Sequence, residues 1–225
     1  MDTQASLPAK LMILISLVQG LCLLYLHQAI ELRYWPHEQP EWLFAFYSVS
    51  FVWPIILLLG LSENNWRAMI KLTLPFAFLS GFLGFYMGNQ VTPIEYLRFD
   101  ALLFSFVVTM TIASFKVLMY CQQWVVGERV TYSALFLWSW RNFLTLSLSL
   151  LFTACFWLIL MLWGSLFKTI NINFFQNLFE ERWFYYPILT LANGFGVIIF
   201  RNLTHIIDTI TRLQQALMKF LLVVL

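Results

Sequence analysis

Six stretches of roughly twenty residues, each apolar on every face, run through this chain and leave few ways to fold it. Crossing a hydrocarbon core of about 30 Å takes about 20 helical residues at 1.5 Å apiece. A helix also satisfies its own backbone hydrogen bonds where no water can do so. The windows lie at 11–30, 42–61, 68–88, 99–120, 143–167 and 184–200. A transmembrane barrel would need strands of about ten residues that alternate apolar and polar side chains, and these windows do not alternate. The chain therefore reads as an all-α integral membrane helical bundle of about six transmembrane helices, with interfacial amphipathic helices beside them. Without a repeat between its halves or a Gly/Ser-rich or Pro-rich linker, residues 1–225 form one membrane domain.

Composition removes the alternatives. Hydrophobic residues make up 61% of the chain and charged residues 11%, against about 25% charged in soluble domains. The net charge of +2 is not clustered, which argues against a nucleic-acid partner and leaves the lipid bilayer as the first partner. Cys22, Cys121 and Cys155 stand far apart with no Cys-x-x-Cys pair and no His at ligand spacing, so neither a disulfide framework nor a metal site is indicated. They read as small apolar packing residues. The first window could be mistaken for a signal peptide, but Leu11 to Leu26 is not followed by a small-x-small cleavage site and further spans follow, so it is expected to be retained.

Basic residues set the orientation. A cytoplasmic N-terminus puts nine on the inside (Lys10, Arg67, Lys71, Lys116, Arg129, Arg141, Arg201, Arg212 and Lys219) and four outside (Arg33, Arg98, Lys168 and Arg182). N-terminus inside is favoured. Lys71 falls near the start of the third window, and Lys116 lies within the fourth, about a turn from its cytoplasmic end, where its stem can snorkel to the interface. No acidic partner occurs inside the other windows, which argues against an ion-coupled pump of the usual design.

Between the spans, residues 122–142 are semi-polar and aromatic, ending in Trp138-Ser139-Trp140-Arg141-Asn142, as expected of a segment lying at headgroup level. Residues 173–183 suggest a short interfacial helix on the outer face. Residues 201–219 alternate with a helical period, Leu203, Ile206, Ile207, Ile210, Leu213 and Leu217 opposing Asn202, His205, Asp208, Arg212 and Lys219, and predict an amphipathic cytoplasmic helix. The run 216–225 is about half a span and is expected to be the start of a truncated one, the chain being either the N-terminal part of a longer membrane protein or a shortened version of one.

The candidate sites are few. Ser80, Gly84 and Gly88 repeat every four residues on the third span and predict a helix-packing seam. His27 and Glu31, one turn apart, form a polar pair at the outer end of the first span, which can be a proton-sensitive site or merely solvated. His205 and Asp208 form a second such pair on the amphipathic helix. Asn193-Gly194-Phe195-Gly196 lies inside the sixth span, where Gly194 and Gly196 loosen the helix and Asn193 must find a partner. A helix break there is one way to bind a solute at mid-membrane, whereas glycine packing and an interhelical Asn bond are the ordinary alternative. Pro54, Pro75 and Pro187 either kink helices around a cavity or merely bend them. No phosphate-binding loop, His-Glu-x-x-His, Gly-x-Ser-x-Gly or paired nucleophile and base is present, so no catalytic residue and no cofactor is indicated.

Several segments resemble a known family. They are Leu135-Phe136-Leu137-Trp138-Ser139-Trp140-Arg141-Asn142-Phe143-Leu144-Thr145-Leu146, then Phe156-Trp157-Leu158-Ile159-Leu160-Met161-Leu162-Trp163 with Leu166-Phe167, and Phe174-Phe175-x-x-Leu178-Phe179. Tyr186-Pro187, Asn193-Gly194-Phe195-Gly196, Leu17-Val18-Gln19-Gly20-Leu21 and Leu26-His27-Gln28-Ala29-Ile30 add to the likeness. Together they are similar to the bacterial membrane-protein family catalogued as domain of unknown function 4153, over most of the chain. The resemblance implies a multi-pass protein of the bacterial inner membrane, in a family of generally longer members with no assigned activity or catalytic residues.

The expectation is thus a multi-pass inner-membrane protein without catalysis in this chain, either a structural or assembly component or part of a permease-like body. Such a role calls for a membrane-protein partner or a second copy, with the 201–219 helix as a candidate docking element. The alternative is a transporter of a small or amphipathic solute, with its site near Asn193.

Overall fold

The computed structural model describes residues 8–90, 101–127 and 131–203. Seven helices occupy them: α1 (Ala9–Leu32), α2 (Pro40–Gly60), α3 (Trp66–Gln90), α4 (Ala101–Val126), α5 (Tyr132–Thr169), α6 (Phe174–Glu180) and α7 (Arg182–Asn202). All but α6 are long and apolar enough to cross a membrane, one for each expected window, and the described residues contain no strand. The chain is a multi-pass membrane protein. The calls at His205, Asp208, most of 201–219 and all of 216–225 lie outside the described residues.

Local chemistry explains the boundaries. α1 stops where Arg33 takes a left-handed conformation, φ 54°, and the Trp35-Pro36 step that follows is incompatible with helix. The Tyr25 hydroxyl donates to the Trp35 carbonyl at 3.2 Å and the Tyr34 hydroxyl to the Tyr25 carbonyl at 3.3 Å, folding that loop back on α1. Pro40 opens α2 at a position where a missing N–H costs nothing. α4 ends at a turn in which Gly127 has φ 77°.

Six of these helix ends lie together: the starts of α1, α3 and α5 and the ends of α2, α4 and α7, here termed the N-side face. α2 is the hub and packs on every other long helix, most extensively on α3. α7 lies between α1 and α5, and α4 packs on α2, α3 and α5. The core, Met12, Ile56–Leu59, Leu61, Met69, Leu118 and Val197, gathers round the last turns of α2, toward the N-side face.

Three sequence-based expectations are corrected here. Residues 122–142 are not an interfacial connection: α4 runs to Val126 and α5 begins at Tyr132, so Trp138 to Asn142 belong to a helix of 38 residues, about 57 Å long. No proline and only one glycine, Gly164, interrupts that run, so nothing stops the helix at the membrane surface. Lys116 consequently lies ten residues before the end of α4, although it is exposed and free to snorkel. Finally, Cys22 and Cys155 face outward and only Cys121 is partly buried, so two of the three cysteines are not packing residues.

Candidate functional site

The membrane interior of the bundle contains few polar side chains, and their partners decide what the bundle can do. The nearest to a functional centre is at the N-side face, where the last carbonyls of α2 have no partner within the helix. The Leu61 N–H caps Leu57 O at 2.9 Å. Arg201 of α7 donates through Nη1 to Leu58 O at 2.8 Å, and Gln122 of α4 donates through Nε2 to Leu59 O at 3.1 Å. Gln122 also exchanges hydrogen bonds with Asn142 of α5, Nε2 to Oδ1 at 3.1 Å and Asn142 Nδ2 to Gln122 Oε1 at 2.6 Å. Three other helices thereby hold one helix end, and Gln122 and Asn142 are buried. None of these residues was singled out from sequence as a site, because 122–142 read as a surface connection and Arg201 as the start of the 201–219 amphipathic helix, whereas it belongs to α7.

At mid-membrane, Pro54 supplies no N–H to the Ser50 carbonyl four residues earlier. Gln19 of α1 does so instead, its Nε2 donating to Ser50 O at 3.2 Å. Trp53 Nε1 donates to Thr73 Oγ1 at 3.2 Å, and that hydroxyl donates to Met69 O at 2.9 Å, joining α2 to α3.

The Asn193 segment does not break its helix, and α7 runs unbroken through Asn193-Gly194-Phe195-Gly196. Asn193 finds its partner in Ser149 of α5, whose hydroxyl lies 2.6 Å from Oδ1 and 2.8 Å from the Asn193 carbonyl oxygen. A Cβ on Gly196 would come 2.8 Å from Ser149 Oγ, and one on Gly194 would strike Ser16 of α1. Both glycines permit close crossing of α7 with its neighbours. Gly20 does the same from α1, pressed on Pro187 and Thr190. α2, α3 and α7 each continue through their prolines.

Ser80, Gly84 and Gly88 form the seam between α3 and α2. A Cβ on Gly84 would lie 2.7 Å from the Phe44 carbonyl oxygen, and one on Gly88 2.6 Å from that of Pro40. Ser80 is fully buried and donates to Ala77 O at 2.8 Å.

At the opposite face, His27 Nε2 sits 3.2 Å from Glu31 Oε1, and Arg182 Nη2 sits 2.9 Å from the same oxygen. Tyr186 packs on the His27 ring with centroids 5.2 Å apart. The pair expected from sequence is therefore part of a tie between α1 and α7, with Glu31 and Arg182 half exposed. Among the described residues, no group of three His, Cys, Asp or Glu side chains could hold a metal.

A half-open cavity of about 610 Å³ lies between α2 and α4, with Ile30 of α1 and Leu146 of α5 also in its wall. Its wall is apolar apart from Tyr47, Ser48, Thr111 and Ser114. The last two donate to their own helix at Val107 O and Met110 O, so they offer no free proton to an occupant. Sequence reasoning missed the cavity, since each window alone is apolar on every face.

No family model matches the chain, and no match is found among curated proteins or solved structures.

Proposed function

We propose that this chain is a structural or assembly component of the bacterial inner membrane, oriented with its N-terminus in the cytoplasm. One observation carries the reading: the polar side chains inside the bundle hold helices to one another. Gln19 serves a carbonyl orphaned by Pro54, Gln122 and Arg201 cap α2, and Asn193 is tied to Ser149. A transport path would leave such groups facing water. The placement in a bacterial inner membrane rests on the segments that resemble the family described above. The orientation rests on positive charge: among the described residues, Lys10, Arg67, Lys71, Lys116, Arg141 and Arg201 lie toward the N-side face, and Arg33, Lys168 and Arg182 toward the other.

Thiol accessibility tests the reading against a transporter. In a background where Cys22, Cys121 and Cys155 are replaced by Ala, Asn193→Cys is expected to resist a water-soluble maleimide while Asn64→Cys, in an exposed turn, reacts. Labelling of Asn193→Cys in folded protein would establish a wet path and favour transport of an amphipathic solute, the reading that the α2–α4 cavity supports. Native mass spectrometry of gently extracted protein is then expected to show a second copy or a companion protein. A bare monomer would contradict the assembly role.

A further inference from the structure

The register of α5 against α7 fixes how far each reaches. The Ser149 hydroxyl lies 2.6 Å from Asn193 Oδ1, and the Trp157 ring packs on that of Tyr185 with centroids 4.9 Å apart. Eight residues along α5 thus match eight back along α7, and the same register sets Arg182, the first residue of α7, beside position 160. α5 runs on to Thr169, nine residues and about 13 Å further. Four other helix ends stay at the level of Arg182. Its Nη2 meets Glu31, one residue before the end of α1, at 2.9 Å, and Gly88 near the end of α3 presses on Pro40 and Glu41, where α2 begins. Glu31, Arg33, Glu38 and Arg182 are exposed there, and such a ring of charge belongs at the membrane surface.

Past that ring α5 stays apolar. Leu158, Leu162, Leu166 and Ile170 repeat every four residues along one side, with Ile159 and Trp163 beside them, and each is more than half exposed. At about 200 Å² for a large side chain, these six leave roughly 700 Å² of apolar surface, above the roughly 300–600 Å² of the largest patch on a typical monomer. Leu151, exposed on the same side two turns below Leu158, brings the area to roughly 800 Å², the share of each partner in a standard interface. α6 does not cover this side: it lies behind α5, with Phe179 against Gly164 and Phe175 stacked on Phe167 at 4.4 Å.

The chemistry of the side selects what covers it. No charged residue occurs from 142 to 167, and the Ser165 and Thr169 hydroxyls are spent on Met161 O and Ser165 O of their own helix. An interface between like copies repeats one patch against itself, which a patch without charge or unmet polar groups allows. Lipid covers the lower half of the stripe equally well, but not the turns that stand past the charged ring. We propose that two copies of the chain associate through this side of α5, about a two-fold axis along the membrane normal, each covering the apolar turns that the bilayer leaves bare on the other. The inference rests on the assembly role and names the surface that serves it.

The test reads the dimer in native mass spectra of the wild-type protein released from phospholipid vesicles. With acyl chains of about 14 carbons a dimer is expected, and with chains of about 22 carbons, which reach further up α5, the association constant should fall about tenfold. An equal constant in the two bilayers would overturn the bare helix end as the cause. Leu162→Cys, in the background without native cysteines, should form a disulfide-linked dimer under mild oxidation, and Phe78→Cys, exposed on α3, should not. Cross-linking through Phe78→Cys alone would overturn this surface while leaving the assembly role standing. Leu166→Glu, whose charge stands outside the bilayer in the monomer, should weaken association at least about tenfold with helix content unchanged, and an unweakened dimer would overturn the proposal. A monomer in both bilayers would overturn it as well, whereas a companion protein in the same spectra would still uphold the assembly role.

Discussion

Single atoms decide where these helices can cross. The seam of α3 on α2 depends on hydrogens at Gly84 and Gly88, because a Cβ at either would meet main-chain atoms of α2, which cannot swing aside. At Gly81 the nearest obstacle is the Val49 Cγ2 methyl at 3.1 Å, which a small side-chain adjustment relieves. Gly88→Ala is therefore expected to destabilise by about 1–3 kcal/mol, the usual cost of overpacking. Gly81→Ala should be close to neutral, as the gain in helix propensity, about 1 kcal/mol, offsets a slight crowding. Thermal unfolding of both variants in micelles checks this, and equal losses would contradict it. The seam was legible in the sequence because small residues at every fourth position share one face of any helix. The partner surface, Pro40 to Ser48 of α2, was not, because nothing in its own composition marks it.

At the scale of elements, α2 depends on its neighbours twice along its length. Its proline leaves a carbonyl open in the middle and its C-terminus leaves carbonyls open at the end, and side chains of α1, α4 and α7 close both gaps. This gives Gln19 a task that exists only because residue 54 is proline. Gln19→Leu is expected to cost about 1 kcal/mol in the native background, the net worth of a hydrogen bond to an otherwise unpaired group. In Pro54→Ala, where residue 54 regains an N–H for Ser50 O, the same substitution should cost nothing. A double-mutant cycle of unfolding free energies reads the difference, and additivity would refute the link. α5 shows the opposite relation: its buried side chains are the polar Asn142, Thr145 and Ser149, with Gly164, while Leu150, Leu151, Leu158, Leu162 and Leu166 face outward. The helix turns its polar stripe inward because the surroundings are lipid.

For the whole molecule, short connections at 33–39 and 61–65 force α1, α2 and α3 to run up, down and up. With the N-terminus inside, as proposed, the 61–65 turn would be cytoplasmic and the 33–39 loop outside. In intact cells, on a background lacking native cysteines, Glu38→Cys should react with an impermeant maleimide and Asn64→Cys should react only after permeabilisation. The reverse pattern would invert the topology.

Hydropathy alone determined the fold class, the number of long helices and most of their lengths, because backbone groups in hydrocarbon have few ways to pair and a span has a set length. The glycine seam followed from the same one-dimensional periodicity. What only the tertiary structure decided was the pairing of polar side chains. Asn193 could have lined a water-filled break, and instead it meets Ser149, 44 residues away in the chain. Gln122 and Asn142 looked like surface residues because the stretch between them is semi-polar, yet they meet each other at the end of a third helix. Periodicity reports which way a residue faces along its own helix, whereas a hydrogen bond between helices depends on which helices are neighbours and at what depth they cross. The cavity between α2 and α4 has the same origin, being a property of the space that two apolar faces leave between them.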